Sequence, residues 1–340
     1  MKKVLVGISG GVDSSVSALL LKKEGYEVIG ATMKLIDTDT SSSKDICTKL
    51  DIKYIELDCK DLFKKCVINY FIDEYKNAHT PNPCIECNKK LKFGYMYKYA
   101  KENNIDYIAT GHYAKVEYSD IYKRYVLKKA DNRNKDQSYF LYVIDKEILP
   151  KLLFPLSKFN SKQEIREIAR QNNLSVHSKS DSQDICFIED GNYKKYLEEN
   201  SDIESKIGNV ILNGKVIGTH NGLYKYTIGQ RKGLGISHET PLYVIGFNND
   251  TNELIVGEEN DLYVDSFEVI NYNLLAIDDI VKPLKVNVKT RYKSLEYPAI
   301  IEKEGNKLVV NLETPIKGVT KGQSGVFYID DVVIGGGIIK

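Results

Sequence analysis

Gly7-Ile8-Ser9-Gly10-Gly11-Val12-Asp13-Ser14-Ser15 follows an apolar run, Val4 to Val6, and precedes a helical pattern. A strand, a glycine turn and a helix start in that order make an anion site. The glycines let the backbone turn tightly and come close to a ligand. The first N–H groups of the helix have no partner within it and point at whatever lies ahead, with the helix dipole behind them. Ser9, Ser14 and Ser15 add hydroxyl donors suited to phosphate oxygens. A capped strand-to-helix turn, with Ser9 or Asp13 as the cap, would need less than two adjacent glycines and three serines. The stretch therefore reads as a phosphate site.

Two familiar phosphate loops are excluded. The kinase-type loop ends in Gly-Lys-Ser/Thr, and its lysine reaches the terminal phosphates. No lysine follows these glycines, and Asp13 stands in the loop instead. The dinucleotide fingerprint of a Rossmann unit is also absent.

Outward from the loop the chain alternates. Val16, Leu19 and Leu20 mark a helix that stops at Gly25; Tyr26 to Met33 reads as a second buried strand. Ser43 is the expected cap of a short helix, Lys53 to Leu57 a third strand, Leu62 to Tyr75 a longer helix, and Tyr107 to Ala109 a further strand. Such alternation predicts an α/β fold, a parallel sheet doubly wound by helices. Ligands of these sheets bind at the carboxyl ends of the strands. Met33 and Thr110-Gly111-His112-Tyr113-Ala114 fall there with the glycine loop.

The 340 residues are long for a single core. The expected division is a catalytic domain over 1–200, a central β-rich domain over 201–264 and a C-terminal β-barrel over 265–340. After about Lys206 short apolar segments alternate with glycine turns, including Tyr226-Thr227-Ile228-Gly229-Gln230-Arg231-Lys232-Gly233-Leu234-Gly235-Ile236, a stretch able to close on a polyanion. Hydrophobic residues at 42% and charged ones at 28% describe a globular protein, and a net charge of +1 excludes one that is basic throughout. A nucleic-acid partner would then need local patches. Met1-Lys2-Lys3 and the apolar run after it are too short and too soon broken by glycine for a signal peptide, and no segment approaches a membrane span. The expected compartment is the cytoplasm.

Cysteines in that compartment are buried, metal-binding or catalytic before they are disulfides. Cys47, Cys59 and Cys66 read as small core residues. Thr80-Pro81-Asn82-Pro83-Cys84-Ile85-Glu86-Cys87-Asn88 differs: two prolines stiffen the approach, and a CxxC stands ahead of a helix expected to begin near Lys89. Thiols at a helix start have depressed pKa values and are reactive. A plain redox CxxC and half a zinc site are the other readings, although no second CxxC or HxxxH completes a zinc site. The lysines that follow, Lys89, Lys90, Lys92, Lys98 and Lys101, read as a solvated face or a phosphate-contacting surface. Tyr118 to Lys128 reads as a hairpin, Lys128 to Ser138 as a basic loop that no core requires, and Ser161-Lys162-Gln163-Glu164 as a capping box. Lys179-Ser180-Asp181-Ser182-Gln183-Asp184 is a polar run without a packing purpose, placed just before Cys186.

Taken together, SGGVDSSV, the Thr80–Gly94 segment, TGHYA, KDQSYFL, DICFI and YTIGQRKGLGI occur in one order across nearly the whole chain. The loop resembles that of the ATP pyrophosphatase (PP-loop) superfamily, which splits ATP between its α- and β-phosphates. The full set resembles the bacterial tRNA-specific 2-thiouridylases. That resemblance implies ATP-dependent replacement of O2 by sulfur in the wobble uridine of tRNAs for Lys, Glu and Gln. It implies an ATP site of Gly7, Ile8, Ser9, Gly10, Gly11, Val12, Asp13 and Ser14 with Met33 and Gly111, and Mg²⁺ on the phosphates. It makes Cys87 the nucleophile and Cys186 the persulfide carrier, loaded by a sulfur-donor protein. It assigns tRNA contact to Asn82, His112, Lys135, Asp136, Gln137, Arg291, Tyr292 and Gln323. The common family pattern has aspartate where this chain has Cys84, so the alternative is a 4Fe–4S cluster held by Cys84, Cys87 and Cys186 with one iron open. Two other classes stay in view: a PP-loop ligase for a small molecule, and a nucleotide-binding redox or metal sensor without catalysis.

Overall fold

A computed structural model describes residues 1–37, 39–178 and 185–340. The run Lys179–Asp184 lies outside the described residues.

Five parallel strands form the first sheet, in the order β3 (Lys53–Asp58), β2 (Glu27–Lys34), β1 (Lys3–Gly7), β4 (Tyr107–Ala109), β7 (Leu152–Leu153). Side chains alternate across a strand, and β1 shows what that does. Val4 and Val6 pack on one face with Val16, Leu19, Ile46 and Ile165, from the helices Val12–Lys23, Ser41–Lys49 and Lys162–Gln171. Leu5 packs on the other face with Phe63, Val67, Phe71, Leu91 and Met96, from two long helices over 60–76 and 83–102. The sheet is doubly wound, as expected, and its strands are nearly continuous apolar runs because both faces are covered.

Two helix starts differ from the sequence reading. The second helix begins at Ser41, because Asp39 takes the Ser41 backbone N–H at 2.8 Å and its hydroxyl at 2.6 Å, while Ser43 is buried. The CxxC does not precede its helix but forms the first turn: Asn82 accepts from the Cys84 N–H at 3.2 Å and Pro83 takes the first helical position, where its missing N–H costs nothing.

The hairpin β5 (Ala114–Ser119) and β6 (Arg124–Lys129) leaves the catalytic half and joins the far end of the chain. β8 (Ile207–Leu212), β9 (Lys215–Asn221), β10 (Tyr243–Asn248) and β11 (Glu253–Gly257) make a separate four-stranded sheet. β12 (Tyr263–Leu274), β13 (Leu284–Lys289), β14 (Tyr297–Glu304), β15 (Lys307–Lys317), β16 (Ser324–Ile329) and β17 (Val332–Ile339) close into a six-stranded antiparallel barrel, β12 pairing with both β15 and β17. The hairpin docks on it where Val332 of β17 pairs with Lys128 of β6. No helix among the described residues is long and apolar enough to cross a membrane.

Candidate active site

The phosphate loop leaves β1 on a run of serine bonds. The Ser9 N–H donates to the Ser14 hydroxyl at 3.2 Å, and Ser14 and Ser15 donate to the Gly11 carbonyl at 3.1 and 2.8 Å. Gly10 has φ +72°, a left-handed conformation that favours glycine, and a Cβ there would meet the Ser42 and Ser43 hydroxyls at 3.3 Å. Gly111 is held to glycine for a different reason. A Cβ on it would stand 2.8 Å from the Ser14 N, so strand β4 and the loop after it lie directly against the first turn of the helix. Met33, at the carboxyl end of β2, packs half-buried against the core under that edge.

Sequence reasoning found no lysine for this loop, and the fold brings one. Lys162, the first residue of the helix Lys162–Gln171, forms an ion pair with Asp13 and is largely buried, while the Tyr113 hydroxyl donates to the other Asp13 oxygen at 2.8 Å. The capping serine before it does bond as expected, Ser161 accepting from the Glu164 N–H at 3.2 Å. That cap was legible in the sequence, whereas the lysine beside it carried no pattern of its own.

The thiols lie on the other side of the same edge. Cys87 is buried; Cys84 and Cys186 reach solvent, and all six cysteines are free. Cys186 is fixed by the residue after it: Phe187 packs edge-on against Phe63 at 5.7 Å and Phe71 at 5.4 Å. Ile85 and Cys87 pack in the same cluster as Phe187, Phe63 and Phe71, and the surrounding protein mass, then Cys87 and Cys84, raise the Cys186 thiol to about 11. Burial likewise raises Cys84 and Cys87, with Lys92 acting in the opposite direction on both. The expectation of depressed thiol pKa values is thus reversed: the protein mass around these thiols outweighs the helix start. No group of three or more His, Cys, Asp or Glu among the described residues is arranged to hold a metal, so the three-cysteine cluster gains no support from the geometry. His112 shares the region, its ring 5.9 Å from that of Phe93. Its Nδ1 is 2.8 Å from the Thr110 hydroxyl, and burial, then Lys92, keep the imidazole neutral.

The residues expected at tRNA fall into two sets. Lys135 and Tyr292 stand at the junction of the basic loop and the barrel, where the Tyr292 ring lies 4.4 Å from that of Phe140. Four others have bonds within the protein. Asp136 is buried, accepting from the Ala130 N–H at 2.9 Å and the Ser138 hydroxyl at 2.7 Å. Gln137 accepts from the Tyr113 N–H at 3.0 Å and donates its own N–H to the Tyr113 carbonyl at 2.8 Å. Gln323 donates to the Thr80 carbonyl at 2.6 Å, and Arg291 donates to the carbonyls of Ile228 and Gly318 at 3.3 and 3.0 Å. Asn82 is spent on its helix cap.

A family model described as the tRNA methyl transferase HUP domain matches residues 2–190; others, described as the tRNA methyl transferase PRC-barrel domain and the aminomethyltransferase beta-barrel domain, match 194–258 and 264–339. A protein of Acetivibrio thermocellus named tRNA-specific 2-thiouridylase MnmA is 45% identical, the match covering 100% of this chain and 99% of that protein. The chain belongs to the tRNA-specific 2-thiouridylase family. Members of that name in Caldicellulosiruptor saccharolyticus and Clostridioides difficile are 43% and 41% identical, over 100% of this chain and 98% of each. In this thiouridylase-family chain the phosphate loop meets the loop after β4 at Gly111 and Tyr113.

Proposed function

We propose that this protein makes 2-thiouridine at the wobble position of tRNAs for Lys, Glu and Gln, using ATP and a persulfide. What supports the reading is the packing of the CxxC turn and, through Phe187, of the Cys186 segment on one helix over 60–76, in a chain whose phosphate loop takes its lysine, Lys162, from a distant helix. A uracil C2 carbonyl is a poor electrophile with a poor leaving oxygen. Attack of O2 on the α-phosphorus expels pyrophosphate and turns that oxygen into AMP, an easy leaving group. The loop from Gly7 to Ser14 suits the phosphates, with Met33 and Gly111 bordering the nucleoside, and magnesium enters as part of the ATP substrate.

Sulfur follows. A donor protein loads Cys186 as a persulfide. The Cys87 thiolate attacks the inner sulfur, forming a Cys87–Cys186 disulfide and releasing the outer sulfur as hydrosulfide. That sulfur adds to C2, AMP departs with O2, and an external dithiol reduces the disulfide. The base must leave its stack to be reached, which is least costly in an anticodon loop. On this reading residues 1–200 do the chemistry, while the units over 201–264 and 265–340 hold the tRNA.

The family model's description speaks of methyl transfer, a reaction that has no use for a phosphate loop or for paired thiols. Mass spectrometry of tRNA nucleosides from a deletion strain decides between them. Loss of 2-thiouridine, restored by the wild-type gene and not by Cys87→Ser or Cys186→Ser, is the expected result; loss of a methylated uridine instead would refute the reading.

A further inference from the structure

The helix carrying the CxxC changes its winding where the chemistry is. Pro83–Cys87 is α-helical, but Asn88–Tyr95 is π-helical, and the Met96 N–H at its end bonds the Leu91 carbonyl, five residues back. Single π turns within α-helices are rare and concentrate at functional sites. This one is built into the sequence. A Cβ on Gly94 would stand 2.8 Å from the carbonyl oxygen of Lys89, five residues earlier, so the wide turn needs glycine at that position.

The wide turn decides which lysine faces the thiols. In an α-helix residues three and four apart share a face, and a residue five on points well away. When hydrogen bonds close over five residues, the residue five on comes round towards the side of the first instead of pointing well away, and five on from Cys87 is Lys92. Lys92 is half-buried and takes part in no salt bridge among the described residues, unlike Lys98 further along the helix, which pairs with Glu102. Its charge acts on Cys84, Cys87 and Cys186 alike, in each case towards the thiolate, and on His112 towards the neutral ring. Among the described residues, Cys59, next to Asp58 at the end of β3, also feels Cys87, and neutral His112 feels Lys92. Glu86 acts instead on Tyr70 and Tyr142. Lys92 is thus the one cation found to act on the three thiols among the described residues.

We propose that Lys92, turned onto the thiol face by the π-helical stretch, is the counter-ion of sulfur transfer, holding the attacking Cys87 sulfur and the outer sulfur of a Cys186 persulfide as anions. This assignment rests on the persulfide reading above. The need for it is physical: burial of the Cys87 thiol disfavours its thiolate, and the thiolate is the nucleophile. Lys92 offsets part of that penalty without exposing Cys87 to water.

The test compares wild type with Lys92→Gln, Lys92→Arg and Gly94→Ala. Alkylation of each cysteine by iodoacetamide is followed across pH by peptide mass spectrometry, beside AMP release and 2-thiouridine formation. Lys92→Gln is expected to move the Cys87 and Cys186 profiles to higher pH, about one unit corresponding to tenfold slower alkylation at neutral pH. Its thiolation should fall at least as much while AMP release continues. Lys92→Arg should restore both, and Gly94→Ala, with Lys92 intact but the turn disturbed, should shift the profiles in the same direction as Lys92→Gln. Unmoved profiles in Lys92→Gln overturn the proposal, whether thiolation falls, which would make Lys92 a tRNA contact, or persists. A wild type that forms no 2-thiouridine would refute the persulfide reading separately, since the alkylation profiles are read without tRNA.

Discussion

The Tyr113 hydroxyl donates to Asp13 at 2.8 Å, while both backbone groups of Tyr113 are bonded by Gln137. One residue thus ties the basic loop expected at tRNA to the phosphate loop. Hydrogen bonds to charged groups contribute about 1.5–3 kcal/mol. Tyr113→Phe should therefore slow AMP formation about tenfold or more with the fold intact, read by ATP turnover and circular dichroism. Gln137→Ala should weaken the dependence of that turnover on tRNA.

Arg291 was expected to touch tRNA, and its guanidinium is found spanning the central unit at Ile228 and the barrel at Gly318. Arg291→Ala removes the donor to those carbonyls, at about 1 kcal/mol. The melting temperature should drop, and the glycine stretch from Gly229 to Gly235 should become a cleavage site in limited proteolysis. Lys135→Ala should reduce the slope of log K for tRNA against log salt by about one unit or slightly less.

Phe187 anchors Cys186 among Phe63 and Phe71. Phe187→Leu keeps the site apolar but loosens that anchor. Thiolation should fall several-fold in a protein that still releases AMP; a parallel loss of both would place the defect in folding.

Cys47 and Cys59 are buried, and burial raises each from an ordinary 9.0 to about 11. Above pH 9 the unfolded chain gives up these protons before the folded one, so it binds fewer protons and stability falls as pH rises through that window. Two units correspond to about 2–3 kcal/mol for each thiol by pH 11. Urea titrations between pH 8 and about 11 should show the decline, and Cys47→Ala should make it shallower.

Local patterns were read correctly where one residue type had one physical use. Gly25 ends its helix with φ +87°, Ser161 caps another, and the alternating apolar runs place β1 to β4. What stayed hidden depends on distant chain. Lys162 reaches Asp13 across 149 positions, and the hairpin β5–β6 completes a barrel sheet formed at the other end of the chain. The start of the CxxC helix was misplaced because proline reads as a breaker, although at the first helical position it favours the helix. The tRNA residues were drawn from motifs, and motifs do not show which side chains, such as Asp136, also bond within their own loop.

The central claim is that uracil O2 is activated by adenylation before sulfur replaces it. Transcribe tRNA with heavy oxygen at O2 of the wobble uridine, supply enzyme, ATP and a persulfide source, and follow the label by mass spectrometry. The label should leave in the phosphate of AMP, one equivalent for each 2-thiouridine formed, with pyrophosphate as the other product. Label recovered in water, or ADP in place of AMP, would contradict the account.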